Sequence, residues 1–249
     1  MYLTTEGLIL RETAIQETSK LLTVLTRENG LLTMKARGVN RRSSHLKAPC
    51  QLLVYGEYTL HENRGYYTVY EAEALELFSP LRSDLELLSL GSYFAQLLEL
   101  VSHADSVNPE LLTLGLSALY ALCYRNRPQK LVKAAFELRL LCLAGYMPQL
   151  DSCSVCGNEY PDLFNTDMGF LQCSACGSRA AETFFPVDAG ALKAMRYIVY
   201  AEPRKVFSFS LGEASLNLLA PAAEAYLLKQ MQRNFTALDF YKSIYTGNG

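Results

Sequence analysis

Four cysteines in two C-x-x-C pairs are the clearest chemical signal in the sequence. Cys153 and Cys156 form the first pair, and Cys173 and Cys176 form the second after sixteen intervening residues. Each pair can direct two sulfurs at one point, and two pairs complete a tetrahedron around Zn²⁺ with Zn–S bonds of about 2.3 Å. The spacing therefore predicts a zinc ribbon holding one Zn²⁺. Two disulfides, or a site that has lost its metal, are the alternatives.

The predicted zinc is structural rather than catalytic, because four thiolates close its coordination shell and leave no position for substrate. Gly157 and Gly177 each follow a pair, where a tight turn needs a residue that tolerates unusual backbone angles. A redox site of the thioredoxin type would need one C-x-x-C at a helix start in a βαβ unit, and that pattern is missing. The segment carries more acidic than basic residues, so it is a poor candidate for gripping phosphates.

A basic run over residues 35–49 is the strongest local charge asymmetry. The chain has a formal net charge of -2, yet this run contains no acidic residue. Such a loop at the rim of a small barrel can follow a phosphate backbone and release counterions as it binds. The sequence therefore predicts nucleic-acid binding here, with a solvated loop as the alternative. The predicted contacts are Lys35, Arg37, Arg41, Arg42 and Lys47.

Tyrosines on the strands that follow could supply surfaces on which bases stack. Because side chains alternate across a strand, only some of them can face outward. The alternative is that they belong to the core or to ordinary surface. The candidates are Tyr55, Tyr58, Tyr66, Tyr67 and Tyr70.

A second basic group surrounds the turn between two predicted helices. It is either a solvated helix face or an anchor for an acidic peptide or more DNA. Lys130 and Lys133 are three residues apart and could share a helix face. As possible partner-binding residues we take Arg125, Arg127, Lys130, Lys133 and Arg139.

Other signals narrow the function class. The N-terminus has no basic segment followed by an apolar one, and no apolar run approaches the ~18 residues of a membrane span. These features predict a cytoplasmic protein, where thiols stay reduced. The sequence contains no phosphate-binding glycine loop, no nucleophile elbow, no zinc-protease motif and no close cluster of carboxylates. We therefore expect a protein that is not an enzyme.

The elements that must position these residues fall into two groups. Residues 1–79 predict five strands rich in Val, Thr and Tyr with turn signals between them, which favours a small closed barrel. From residue 80 the apolar residues recur at helical spacing. Ser83 followed by Glu86 fits a capping box. Residues 80–249 therefore predict an all-α domain, with the cysteine ribbon inserted at about 149–186 and an overall α+β class.

Several segments together resemble one family over essentially the whole chain. They are "KARGVNRRSSHL" in the barrel, "FELRLLCLAGYMPQLDSCSVCG" over residues 136–157, and "GFLQCSAC" and "AYLLKQMQRNF" further on. These segments resemble the RecO family of bacterial recombination mediators in DNA repair. The helix-to-knuckle run with its Gly-Tyr-x-Pro is the most specific of them.

The resemblance implies an N-terminal OB-fold and a helical domain that bears the zinc ribbon. It implies a non-catalytic mediator of the RecF pathway, associated with the nucleoid, that binds single- and double-stranded DNA and anneals complementary strands. The implied partners are RecR, the acidic C-terminal tail of single-strand binding protein and, indirectly, the RecA filament being loaded. Lys35, Arg37, Arg41 and Arg42 fall on the family's basic loop. An RNA- or ribosome-associated binding module is the alternative, and a nuclease is a third hypothesis.

Overall fold

The computed structural model of the chain describes residues 2–103, 107–176 and 183–245. Within them the chain folds as two compact units. The first takes the described residues up to Cys123 and resumes at Phe235, and the second is Tyr124–Asn234. The division expected at 79/80 follows the change from strands to helices, whereas these units follow packing. That boundary therefore stays a prediction.

Five strands of the first unit close into a barrel in the order β1-β2-β3-β5-β4. Neighbouring strands are antiparallel except β3 and β5, which pair in parallel. This arrangement confirms the predicted five-stranded barrel of the OB type within an α+β chain. The strands are β1 (Tyr2–Gln16), β2 (Ser19–Thr26), β3 (Leu31–Ala36), β4 (Tyr55–Asn63) and β5 (Tyr66–Glu76).

The barrel core follows from the alternation of side chains along each strand. On β3 the side chains of Leu32 and Met34 are buried, and on β4 the same holds for Tyr58 and Leu60. Gly7 allows the barrel wall to close at β1, since a Cβ there would lie 2.5 Å from the Cγ1 atom of Val24. The interior is therefore filled by side chains, as is usual for a small barrel.

The segment between β3 and β4 is a chain of turns packed against the barrel, not a loose loop. Its side chains Val39, Leu46 and Cys50 are buried within the barrel core. The amide of Cys50 donates to the carbonyl oxygen of Leu46 (3.1 Å), and the hydroxyl of Tyr58 donates to that of Pro49 (3.1 Å). These contacts give the basic run a fixed support.

Helices complete the first unit, and two details differ from expectation. Asp84, not Ser83, caps the second helix: its carboxylate accepts from the amide of Leu87 (3.0 Å), while Ser83 ends the preceding helical turn. The last helix was not predicted. It follows Phe235, whose ring packs edge-on against Tyr93 with centroids 5.7 Å apart. The helices are α1 (Pro80–Ser83), α2 (Leu85–Val101), α3 (Pro109–Tyr124) and α7 (Thr236–Ile244).

In its described residues, the second unit combines three helices with a four-stranded sheet in the order β6-β8-β7-β9. The helices are α4 (Gln129–Leu143), α5 (Ala189–Tyr200) and α6 (Glu213–Met231). The strands are β6 (Gln149–Cys153), β7 (Leu163–Asn165), β8 (Phe170–Gln172) and β9 (Phe184–Pro186). This sheet lies in the chain between α4 and α5. Cys153 ends β6, and Cys156, Cys173 and Cys176 lie outside the strands.

Candidate functional site

The four cysteines of the two C-x-x-C pairs converge on one point. The sulfur atoms of Cys153, Cys156, Cys173 and Cys176 all lie within 4.8 Å of one another. The Sγ atoms of Cys156 and Cys173 are 3.8 Å apart. A tetrahedron with Zn–S bonds of about 2.3 Å has edges of about 3.8 Å, so this spacing fits a tetrathiolate metal site. The set can hold one metal ion and leaves no open position for a substrate.

Backbone turns bring each pair of sulfurs together. We call the turn that holds Cys153 and Cys156 the first knuckle and the turn that holds Cys173 and Cys176 the second. In the first knuckle Gly157 has φ +74°, and its amide donates to the carbonyl oxygen of Cys153 (3.0 Å). In the second, the amide of Cys176 donates to the carbonyl oxygen of Cys173 (2.9 Å). The positive φ explains the glycine that follows the first pair. Gly177, which follows the second pair, lies outside the described residues.

The four thiols differ in how readily they give the thiolate form, which binds metal. A hydrogen bond with Cys156 raises the pKa of the Cys176 thiol to about 12. The Asn158 hydrogen bond acts to lower the pKa of Cys173, but burial and the neighbouring sulfurs outweigh it and the pKa is raised. The amide of Cys156, followed by that of Val155, lowers the pKa of the Cys153 thiol to about 6. The amide of Cys173 also donates to the Cys153 sulfur (3.3 Å), and the Asn158 side chain donates to the Cys173 sulfur (3.2 Å). The donor set therefore suits a cation bound by sulfur.

The remaining three thiols show no sign of a reactive site. Burial raises the pKa of Cys50 to about 12, and it raises those of Cys123 and Cys142 to about 11. Thiols held protonated by burial in this way are poor nucleophiles, and these three lie outside the cluster of converging sulfurs.

Arg196 on α5 anchors the cysteine-bearing segment to the helices. Its guanidinium donates to the carbonyl oxygens of Leu150 (2.7 Å), Asp151 (2.7 Å) and Glu159 (2.9 Å). One side chain thus donates hydrogen bonds both to β6 and to the non-strand residues that follow the first knuckle. Sequence reasoning missed this residue, because a single Arg within an apolar helix carries no motif that names its partners.

The predicted basic run leaves most of its charges in solvent. Lys35 is half-buried on β3, and Arg37, Arg41, Arg42 and Lys47 are exposed. Within the described part of the chain, none of these five side chains takes part in an ion pair. The run is therefore a set of unneutralised cations on a fixed support, which is what binding to a phosphate backbone needs.

The predicted tyrosines divide between core and surface. Tyr58 is fully buried and cannot stack on a base. The hydroxyl of Tyr55 is engaged with Glu6 and Arg27 at the barrel wall. Tyr66 and Tyr70 are exposed, with 79% and 57% of their surface accessible, while Tyr67 is half-buried. Tyr66 and Tyr70 are thus the most accessible rings of the five.

The second basic group is partly committed to internal contacts. Lys130 donates to the Asn217 side chain, and Arg139 donates to the carbonyl oxygen of Val199. Arg125 is exposed and Arg127 half-buried, both at the connection before α4. The structure therefore does not present this group as one continuous surface.

Lys133 is the most deeply placed member of that group. Its ammonium contacts the carboxylates of Glu137 (2.8 Å) and Glu224 (2.7 Å), and the residue is 6% exposed. Burial acts to lower the pKa of Lys133, but the two carboxylates outweigh it and the pKa is raised. The ion triad links α4 to α6 inside the second unit, so we leave Lys133 out of any docking surface.

A cavity of about 490 Å³ opens beside the C-terminal end of α6. Phe185 and Leu228 form apolar parts of its wall, and Lys229, Gln232 and Arg233 add polar and cationic groups. Lys229 also contacts the Asp167 carboxylate at 3.1 Å. Apolar surface beside two cations suits an anionic ligand that carries an apolar group.

No helix in the described residues is long and apolar enough to cross a membrane.

Comparisons with known proteins cover nearly the whole chain. Residues 1–78 match the family model described as Recombination protein O N terminal, and residues 82–239 match Recombination protein O C terminal.

Curated relatives give the same result. The chain is 32% identical over 246 residues to a DNA repair protein RecO of Acetivibrio thermocellus, covering 98% of this chain and 97% of that protein. It is 31% identical over 234 residues to one of Desulfitobacterium hafniense strain Y51, covering 92% and 85%. It is 30% identical over 246 residues to one of Heliobacterium modesticaldum, covering 96% and 89%.

Proposed function

The chain belongs to the RecO family of DNA repair proteins, and on that premise we propose that it binds and anneals single-stranded DNA and helps to load RecA onto coated strands. The coat is single-strand binding protein. Membership of the family makes the chain a recombination mediator in DNA repair. The proposed DNA binding and annealing rest on the exposed cations of the basic run. We place the protein in the cytoplasm at the nucleoid, where its DNA is.

The observation that carries the proposal is the basic run on the barrel. Arg37, Arg41, Arg42 and Lys47 are exposed, and the turns beneath them are fixed by buried apolar side chains. Lysine and arginine contacts to phosphates position a strand without reading its bases. A mediator must act on any damaged sequence, so contacts of this kind match the task.

The same cations account for annealing without catalysis. Two complementary strands repel each other through their phosphates, and a protein that neutralises part of both backbones lowers that repulsion. Base pairing drives the process, the protein only lowers the repulsion between the strands, and no covalent bond in the DNA is made or broken. We therefore assign no catalytic residue and no nucleotide hydrolysis to this chain.

Zinc has a structural role in this proposal. Cys153, Cys156, Cys173 and Cys176 would hold one Zn²⁺, which supplies a cross-link between the two knuckles and no reactive position. The convergence of the four sulfurs within 4.8 Å supports this assignment. Because such binding energy is folding energy, the metal stabilises the segment that Arg196 fastens to α5.

Two protein partners complete the proposal. We propose that the chain works with RecR, and that it docks the acidic C-terminal tail of single-strand binding protein in the cavity beside α6. The apolar wall formed by Phe185 and Leu228, beside Lys229 and Arg233, supports docking of an acidic, apolar-ended peptide. Arg125 and Arg127 stay predicted partner contacts.

The experiment that tests the proposal is annealing of complementary strands coated with single-strand binding protein. We expect the chain to accelerate annealing, and to do so less when the coat lacks its acidic tail. A competing structured RNA should not displace the DNA. Preference for that RNA would favour an RNA-binding module. Metal-dependent cleavage of the DNA, abolished by changing one carboxylate, would favour a nuclease.

A further inference from the structure

A row of paired residues crosses three strand boundaries on the outside of the barrel. Lys35 on β3 pairs with Thr68 on β5, Thr68 pairs with His61 on β4, and His61 pairs with Tyr2 on β1. Directly paired residues project to the same face of a sheet. With strands about 4.8 Å apart, the row extends about 14 Å from a residue of the basic run to Tyr2.

The direction of this face follows from the neighbouring positions. Met34, Val69 and Leu60 precede or follow members of the row on β3, β5 and β4, and all three are buried. Because side chains alternate across a strand, the row itself faces solvent. Exposed His61 and Tyr2 agree with this orientation.

Three aromatic rings gather at the far end of the row, and we call Tyr2, His61 and Tyr70 the aromatic cluster. The ring centroids of Tyr2 and His61 are 5.3 Å apart, and their planes meet at 65°. The ring centroids of Tyr2 and Tyr70 are 5.5 Å apart, and their planes meet at 70°. Tyr2 has 60% of its surface accessible, comparable with the 57% of Tyr70. The edge-on contacts hold the rings against each other, while a large part of each tyrosine stays open to solvent.

Charge on the same side of the barrel limits how a polyanion can approach. A parallel row consists of Glu6 paired with Glu57, and Glu57 paired with Glu73. A phosphate backbone is repelled there. The row between the cluster and these carboxylates consists of Thr4 paired with Thr59, and Thr59 paired with Glu71. Exposed Glu71 follows Tyr70 and adds a carboxylate at that edge of the cluster, whereas the cluster's own row ends at Lys35. The favourable path runs across the strands, from the cluster to the basic run.

We propose that the aromatic cluster is a base-stacking platform, and that the row from Tyr2 to Lys35 joins it to the basic run as one track for single-stranded DNA. This inference rests on the proposed function. Every base has a π-face, so stacking adds affinity without demanding a sequence. The phosphates reach the cations of the basic run while two or three neighbouring bases contact the rings.

The test compares intact single-stranded DNA with an oligonucleotide of the same length whose central nucleotides lack bases. The variant is Tyr2→Ala with Tyr70→Ala in the full chain. We expect roughly a fivefold or larger loss of affinity for intact DNA, the lower end of what one stacked base is worth. For abasic DNA the variant and the unchanged chain should bind alike. The slope of affinity against salt should stay the same, because no phosphate contact is removed.

Two control variants separate stacking from other effects. Tyr2→Phe with Tyr70→Phe keeps both rings and should bind intact DNA like the unchanged chain. Tyr200→Ala removes an exposed ring from the second unit and should change nothing. If the alanine variant binds intact DNA normally, or loses equal affinity for intact and abasic DNA, the platform is refuted while the proposed function stands. If the unchanged chain fails to bind single-stranded DNA, the proposed function fails with it.

Discussion

The Nε atom of Arg196 donates a hydrogen bond of 2.7 Å to the backbone carbonyl oxygen of Leu150. Leu150 lies on β6, three residues before the first of the four converging cysteines, and Arg196 lies in the middle of α5. The same guanidinium also binds the carbonyl oxygens of Asp151 and Glu159. The knuckle is therefore fastened to a helix by a side chain that is not itself a metal ligand.

Arg196→Ala should loosen this attachment without removing the metal. Three charge-assisted hydrogen bonds are lost, but water can reach two of the carbonyls, so we expect a stability loss of about 2 kcal/mol. For a chain of this size that corresponds to a melting temperature lower by roughly 4–8 °C. Thermal unfolding followed by circular dichroism measures it. Arg204→Ala, an exposed arginine on the same unit, is the matched control and should have little effect. An unchanged melting temperature for Arg196→Ala would contradict the anchoring role.

Cys153→Ser should abolish stable metal binding. It removes one of four converging sulfurs, and the one whose thiol has a lowered pKa of about 6. We expect about one zinc per unchanged chain and less than about half in the variant, with faster amide exchange in the knuckles. Elemental analysis of protein purified under reducing conditions gives the ratio. Cys123→Ser, outside the cluster, should keep its zinc. If elemental analysis finds no zinc in the unchanged chain, the structural-zinc assignment is refuted.

Asp188→Ala should destabilise α5 in a pH-dependent way. The carboxylate caps the helix by accepting from the amide of Ala191 (2.7 Å). That hydrogen bond, followed by one from the Ser215 hydroxyl, lowers the pKa of Asp188 below its ordinary 3.8. The folded-state pKa is depressed, so the cap contributes its full stability above about pH 4 and loses it as the pH falls through that lowered value. We expect a cost of about 1 kcal/mol at pH 7.

Urea unfolding at pH 7 and near pH 3 measures this dependence. The difference in unfolding free energy between the unchanged chain and Asp188→Ala should narrow as the pH falls. Asp188→Asn, which keeps an acceptor at the cap, should remain close to the unchanged chain at pH 7. A difference that widens in acid would contradict the role given to the charged carboxylate.

Lys229→Ala with Arg233→Ala should weaken docking of an acidic peptide in the cavity beside α6. Charge-assisted contacts are worth more than neutral ones, and we expect about a tenfold loss for two partly exposed cations. Fluorescence anisotropy with a labelled tail peptide of single-strand binding protein measures it. Arg204→Ala with Lys205→Ala removes two exposed cations elsewhere on the unit and serves as the control. Equal binding by both double variants would move the docking site out of this cavity.

Local patterns were enough to predict the barrel and the convergence of the four cysteines. Five segments with strand alternation and turn signals became five strands, and the two C-x-x-C pairs converged as their spacing indicated. Both predictions rest on local patterns, because each strand, turn and knuckle is recognised from its own segment of the sequence.

Contacts between residues far apart in the chain could not be predicted from the sequence. The contact between Tyr2 and His61 depends on the register of β1 against β4. The hydrogen bond from Arg196 to the carbonyl oxygen of Leu150 depends on how a helix packs on a sheet. Lys133 was grouped with exposed cations, since helical spacing does not show that Glu224 on α6 meets it. The helix after Phe235 did have a signal in Leu238 and Tyr241, three residues apart, which are buried on one face.

Two neighbouring residues, Ser83 and Asp84, were both candidates for the N-cap of α2. Ser83 followed by Glu86 fits a capping box, yet Asp84 takes the capping position and Ser83 closes the preceding turn. Both residue types are good caps. The choice between neighbours was decided by how α1 and α2 join, which a local motif does not describe.

The salt dependence of single-stranded DNA binding by Arg37→Ala with Arg41→Ala tests most directly whether the basic run holds the DNA. Each lost phosphate contact should reduce the slope of log affinity against log salt by about 0.7. We therefore predict a slope shallower by about 1.4 and weaker binding to unrelated sequences alike, while Arg204→Ala with Lys205→Ala binds normally. An unchanged slope and affinity for Arg37→Ala with Arg41→Ala would contradict the claim that this loop holds the DNA.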